Sequence, residues 1–247
     1  MCWSGEASTV LAAVGLSSTA YFFYKRESLV LCAALGYFSL MEALQAYTYT
    51  VIDDCSNPGN QIATLLGYIH IAFQPFFINA VSLYFIPAHI RQKIAPGVYF
   101  FCFIATVCLL IRLYPFEWAP ACYEVKTKVL FFSRYFESFT VPFCGRRICS
   151  VSGQWHIAWE IPAIASFVLF NMYIAAAFVL PVLYGSWKMT VYQVLTGPLL
   201  AYLTTNNPNE WAAVWCLYSI GLLLLLLKTP IRQYLHVRYW FWWRWLA

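Results

Sequence analysis

Two short stretches repeat a pattern: "HIAFQ" at 70–74 and "HIAWE" at 156–160. Each sets an imidazole four residues from an amide or a carboxylate. On a helix, residues at that spacing share one face. "SLMEALQA" at 39–46 adds Glu42 and, three residues on, Gln45. These polar groups stand in strongly apolar surroundings, where a lone carboxylate is costly. Inward Glu and His side chains on neighbouring helices hold zinc or iron in helical bundles, which makes Glu42, His70, His156 and Glu160 a candidate ligand set. The same groups also work without a metal. A glutamate kept protonated by apolar walls, beside a histidine, is a general acid–base pair. On either chemistry, Glu42, His70 and Glu160 are the candidate catalytic residues. Gln45, Gln74, Asn206 and Glu210 are the candidate substrate contacts.

The elements that must position these residues follow from composition. The 247 residues are 62% hydrophobic, 20% aromatic and only 10% charged, against about 25% charged in soluble domains. Apolar runs long enough to cross a bilayer cover 8–24, 29–51, 62–86, 96–114, 157–184, 189–205 and 209–227. Backbone polar groups in lipid must be satisfied internally, so such runs are helices. The expected fold is an all-α integral membrane protein, a single seven-helix bundle over residues 1–247, with one long outer loop at 115–156.

Charge sets the orientation. Lys25, Arg26, Arg91, Lys93, Lys188, Lys228, Arg232, Arg238 and Arg244 fall at one end, which the positive-inside rule makes cytoplasmic, leaving the N-terminus outside. Nine of the ten acids lie in outer loops or outer helix halves; only Glu27 faces inside. Acids contribute little to topology, so their asymmetry points to function on the outer side. Cys55, Cys122, Cys144 and Cys149 fall in outer loops, with Cys2 near the outer end of the first helix. One or two disulfides are expected there, at least one of them stapling 115–156, with the pairing open. Cys32, Cys102, Cys108 and Cys216 read as packing residues. The localisation expected is a plasma membrane or an endomembrane.

Depth follows from the helical rise. Glu42 and His70 each lie about eight or nine residues from an outer helix end, roughly 12–14 Å down. Equal depth on sequential helices predicts that they pair. "TTNNPNEW" at 204–211 predicts a capped helix start, with Asn207 as N-cap, Pro208 at N1 and Glu210 reaching back from N3. Pro75 and Pro162 each free a carbonyl one turn upstream. Asp53 and Asp54 read as turn residues. Tyr47, Tyr49, Tyr68 and Trp159 read as packing or interface residues.

Several functions are excluded. No lysine sits inside a late helix to form a retinal Schiff base; Lys228 lies at a helix end. No phosphate loop and no nucleic-acid patch is present, and the net charge of +5 is accounted for by the inner loops. No CxxC is present, which argues against a thiol–disulfide oxidoreductase.

"MCWS" at 1–4, "GYFSLMEALQA" at 36–46, "HIAFQPFFINA" at 70–80, "YPFEWAPAC" at 114–122, "CSVSGQWHIAWEIP" at 149–162 and "NNPNEWAAVWCLYSIG" at 206–221 resemble a family of multi-pass membrane proteins, a domain of unknown function in bacteria and microbial eukaryotes. The resemblance implies a seven-helix membrane protein and supplies no activity, substrate or catalytic residue. In outline, seven helices with an outer-leaflet polar site are also similar to membrane zinc hydrolases of the ceramidase and adiponectin-receptor type, whose metal sites use more histidines than this chain offers. The function expected is a membrane-embedded enzyme acting on a lipid or apolar small molecule at a polar cavity open to the outer side, with zinc or iron as candidate cofactor. A metal-free acid–base isomerase or cyclase, and a non-enzymatic seven-helix receptor, are the alternatives. The expected partners are membrane lipids and the apolar ligand itself.

Overall fold

The computed structural model describes residues 3–114, 116–123 and 142–245. Cys2 and much of the long outer loop, residues 115 and 124–141, lie outside them. Four long helices come first: α1 (Gly5–Tyr24), α2 (Leu29–Tyr49), α3 (Pro58–Tyr84) and α4 (Ala88–Ile111). Ser4 caps α1 by accepting from the Ala7 N–H at 3.2 Å. Asn57 caps α3 through the Gly59 N–H at 2.8 Å, with Pro58 in the first turn where its missing N–H costs nothing. With α9 (Trp211–Lys228), these are five helices long and apolar enough to cross a membrane.

The two remaining apolar runs differ from the expected single helices. In 157–184, residues 157–160 are a strand. β1 (Cys149–Ser152) and β2 (Ile157–Glu160) form an antiparallel hairpin in which Cys149 faces Glu160 and Ser152 faces Ile157. Helix begins only at α5 (Phe167–Ile174) and continues through a π-helical turn (Ala175–Val179) into α6 (Leu180–Leu183). The wide turn leaves the Ala176 carbonyl open, and Asn79 Nδ2 donates to it at 2.8 Å. In 189–205, Gly197 and Pro198 split the run into α7 (Trp187–Thr196) and α8 (Pro198–Thr204). A short α10 (Ile231–Leu235) and a 3-10 turn (Phe241–Trp245) follow α9.

The bundle has two chemically distinct ends. At one end Arg232 pairs with Glu27 at 2.9 Å and also reaches the Tyr84 hydroxyl, tying α10 to the α1–α2 turn and to α3. Lys188 there donates to the Tyr234 carbonyl at 3.1 Å. At the opposite end the hairpin lies over the starts of α1, α3 and α9. Between the ends, Leu31, Leu35, Met41, Ile71, Ala213 and Ile220 form a buried seam where α2, α3 and α9 meet.

Pro75 interrupts α3, and side chains attend to the carbonyls around it. Tyr37 donates to His70 O, Thr106 to Ala72 O at 2.7 Å, and Asn79 Nδ2 to Pro75 O at 2.8 Å. The bonds from Tyr37 and Thr106 tie α3 to α2 and α4.

Candidate functional site

The hairpin is fastened from several directions. Disulfides join Cys55 to Cys149 and Cys122 to Cys144, with Cα–Cα separations of 5.2 and 5.8 Å. The first ties the hairpin to the α2–α3 turn. The second staples the long outer loop, as expected for at least one bridge. Asp53, in the left-handed region at φ 66°, accepts from Ser152 N at 2.7 Å and Ser152 Oγ at 2.5 Å. It therefore anchors the hairpin as well as making a turn. Asn60 donates to Ser150 O at 2.9 Å and accepts from Ser150 N at 2.8 Å. Asn209 forms a matching pair with Cys144, from Cys144 N at 3.2 Å and to Cys144 O at 3.1 Å.

Glu210 contributes most to this roof. Its carboxylate is fully buried and accepts three backbone N–H groups: Gln154 at 2.7 Å, Trp155 at 2.9 Å and His156 at 3.0 Å. The expected capping box is not formed. Glu210 stands at the N-cap of α9 with no side-chain bond to that helix. Asn207 instead closes a local turn by accepting from Asn209 N at 3.1 Å. Three charge-assisted bonds to one carboxylate make it a structural brace. Asn206 is exposed.

Beneath the roof lies a row of polar groups. Glu42, Gln45 and Tyr49 follow at i, i+3 and i+7 on one face of α2, within about 10 Å of axial rise. The Tyr49 hydroxyl meets His156 Nδ1 at 2.8 Å, and the two rings stack at 5.9 Å. It also lies within electrostatic reach of Glu42 and Glu210. Trp3 closes the side, stacked on Trp155 at 6.0 Å and donating from Nε1 to Ser8 Oγ at 2.8 Å. Glu42 and His156 are fully buried, and Gln45 is 1% exposed. Five atoms in this row have no hydrogen-bond partner among the described residues: both oxygens of Glu42, both amide atoms of Gln45, and Nε2 of His156. The Ser8 hydroxyl and the Cys216 thiol lie near Glu42 without closing a hydrogen bond to either of its oxygens. Burial pushes the His156 imidazole down to about 3, so it is neutral at physiological pH.

The structure thus regroups the residues expected from sequence. Glu42 and Gln45 share a face of α2 with Tyr49, read as a packing or interface residue, whose hydroxyl meets His156. His70 and Glu42 are not hydrogen-bonded; neither Glu42 oxygen nor His70 Nε2 has a partner. His70 stacks on Tyr37 at 3.8 Å and faces the edge of Phe38. Gln74 is satisfied elsewhere, accepting from Tyr173 at 2.6 Å and donating to Cys216 Sγ at 3.1 Å. His156 and Glu160 do not share a helical face, because β2 is extended; Glu160 is half-buried against Gly145. Among the described residues no three His, Cys, Asp or Glu side chains converge as a metal would require. No three of the candidate ligands Glu42, His70, His156 and Glu160 therefore come together.

A helical bundle capped by a disulfide-fastened hairpin, with unpartnered polar groups buried beneath it, defines the class. The chain belongs to a family described as a family of unknown function (DUF5765), which matches residues 6–236. No curated protein and no solved structure matches it.

Proposed function

We propose that the protein is a membrane-embedded enzyme that moves a proton on an apolar, lipid-like molecule bound under the hairpin. The observation that carries this is the row of five buried, unpartnered atoms on Glu42, Gln45 and His156. Leaving a buried polar group unsatisfied costs about 1–3 kcal/mol each. A fold that keeps three such side chains together gains from a ligand or waters that complete them. Glu42 gives and takes the proton. Gln45 and neutral His156 hold the ligand's polar end, and Tyr49 fixes the tautomer of His156 through Nδ1. Delivery of a proton at one carbon and removal from another shifts a double bond or closes a ring with no net change in atoms or charge. The scattered positions of the candidate metal ligands favour this chemistry over a metal centre at these residues.

The site requires an orientation. In our reading α5 with α6, and α7 with α8, make two further crossings beside the five long helices, giving seven. The hairpin end, with both disulfides, faces the oxidising outer side of a plasma membrane or endomembrane. The end carrying Lys25, Arg26, Lys188 and Arg232 faces the cytoplasm.

The test is turnover in heavy water. Purified protein is incubated with bilayer lipid extract in D2O, and bound and released lipids are examined by mass spectrometry. An enzyme of this kind leaves deuterium at carbon in one lipid species, and Glu42→Gln stops it. A lipid that is bound and returned without deuterium makes the protein a receptor or carrier instead.

A further inference from the structure

We infer that the ligand is a neutral lipid alcohol that reaches Glu42 from the bilayer, through the seam between α1 and α9. This rests on the site proposed above and names what fills it and from where.

The aqueous side is shut. Above the row, the hairpin is held by the Cys55–Cys149 bridge, by Asp53 and Asn60, and by the three amides on Glu210. Glu42 and His156 have no exposed surface. The wall toward lipid is thinner. Only Ser8, Ala12, Gly15 and Phe22 of α1 are buried, one narrow stripe of mostly small residues. A Cβ at Gly15 would overlap the Ser39 side chain and touch Ile220 of α9 at 3.5 Å. At Gly15 the contact with α9 is van der Waals, while toward the other end of the stripe Lys228 of α9 lies over the Phe22 ring at 5.0 Å. Inside that wall stands Glu42, fully buried and without a hydrogen-bond partner, its carboxyl facing Ser8. α1 packs closely along α2 but meets α9 only at this stripe, so the α1–α9 seam parts at less cost than a roof held by two covalent links and many hydrogen bonds.

The polar end of the ligand follows from what the site lacks. Among the described residues, two carboxyl groups, Glu42 and Glu210, act on Tyr49, and no lysine or arginine acts on Tyr49, Glu42 or His156. A phosphate or carboxylate head would be buried here without a countercharge. The Gln45 amide needs both an acceptor for its NH2 and a donor for its oxygen. A hydroxyl supplies both. An ammonium group donates only.

The experiment uses carbodiimides, which add the O–H of a protonated carboxyl across N=C=N. The full chain, in phosphatidylcholine nanodiscs, is treated with apolar dicyclohexylcarbodiimide or with a water-soluble carbodiimide, and adducts are mapped by mass spectrometry. The expected result is an adduct on Glu42 from the apolar reagent alone. Hexadecanol at about ten times its Kd should slow that labelling about tenfold, while hexadecanoic acid and hexadecylamine should not. In Gln45→Leu the labelling should persist, showing the fold intact, and protection by hexadecanol should vanish. The inference is overturned if the water-soluble reagent labels Glu42 equally fast or if neither reagent does. It is also overturned if acid or amine protects as well as the alcohol, or if Gln45→Leu is still protected. Deuterium transfer is read separately, so loss of the alcohol preference leaves catalysis testable, and loss of catalysis leaves the bound class established.

Discussion

The Tyr49 hydroxyl and His156 Nδ1 meet at 2.8 Å across 107 residues of sequence. This bond joins the last turn of a long apolar helix to the hairpin that covers it. It also sets the tautomer of His156, and so whether Nε2 carries a proton. Tyr49→Phe keeps the ring stack and removes only the hydroxyl. The stability cost should be about 1–3 kcal/mol, since a buried ring nitrogen loses its partner. Ligand binding should weaken as well, because the tautomer is no longer fixed. Thermal unfolding in non-ionic detergent measures the first effect. A neutral Tyr49→Phe would place the stabilisation in the ring contact and not in the hydroxyl.

Glu210 braces three consecutive amides, so its loss should be felt in the hairpin before anywhere else. In Glu210→Gln one oxygen remains while an NH2 group turns toward N–H donors. The expected cost is on the order of 3 kcal/mol, from charge-assisted bonds lost in a buried setting. Hydrogen exchange should quicken at residues 154–156 while the middle of α3 stays protected. Uniform exchange across the chain would mean that Glu210 supports the fold globally.

Some of this was legible in the sequence and some was not, for physical reasons. Glu42 and Gln45 stand out because a carboxylate in an apolar run is costly wherever it lies, and their i, i+3 spacing needs only a helix. The start of α3 is written in Asn57 and Pro58, and the cysteines at one end announced oxidised bridges. The hairpin was hidden. In "HIAWE" the residues Ile157, Ala158 and Trp159 are all buried, so the stretch has no alternation to mark a strand and reads as a continuation of the apolar helix that follows. What makes it extended lies far off: Asp53, Asn60 and Cys55 hold its partner strand, Glu210 holds its turn, and Asn209 O accepts from Trp159 N. Tyr49 was missed because its role depends on His156. The pairing of Glu42 with His70 rested on depth alone, and depth does not say which way a side chain faces around the helix.

The two disulfides should not be equivalent. Cys55–Cys149 closes a span of 94 residues and Cys122–Cys144 one of 22. Chain entropy alone assigns about 4–5 kcal/mol to the longer loop and about 3 to the shorter. Cys55→Ser with Cys149→Ser should therefore lower the unfolding midpoint more than the Cys122, Cys144 double change. The reverse order would show that the staple within the outer loop matters more than the tie to α2 and α3.

His156 gives a pH dependence with a definite sign. Its imidazole is held down at about 3 in the folded protein against an ordinary 6.5. Between those values the unfolded chain binds a proton that the folded chain refuses. Stability is therefore greatest above about pH 6.5 and falls as the pH drops, by about 2 kcal/mol from pH 7 to pH 5. His156→Gln should flatten that slope. An unchanged acid slope in the variant would assign it to other groups.

Gly153 offers the sharpest local test, since nothing but a missing side chain lets the roof close. A Cβ there would overlap the Glu210 carboxyl carbon and approach the His156 carbonyl oxygen at 2.5 Å. Both are fixed: Glu210 by three N–H groups, and the His156 carbonyl by accepting from Gly153 N at 2.9 Å. Neither can retreat as a flexible side-chain tip would. Gly153→Ala should therefore cost more than the usual overpacking of about 1–3 kcal/mol or force the turn open, exposing His156. Gly97 in α4 is the control, because a Cβ there meets nothing within 4 Å. Gly97→Ala should be neutral or stabilise by roughly 0.5–1 kcal/mol, as alanine does in a helix interior. Unfolding midpoints of the two variants, with carbethoxylation of His156 by diethyl pyrocarbonate, decide it. If Gly153→Ala melts like the parent and His156 stays unreactive, the hairpin is looser than its hydrogen bonds imply, and water rather than lipid becomes the route to Glu42.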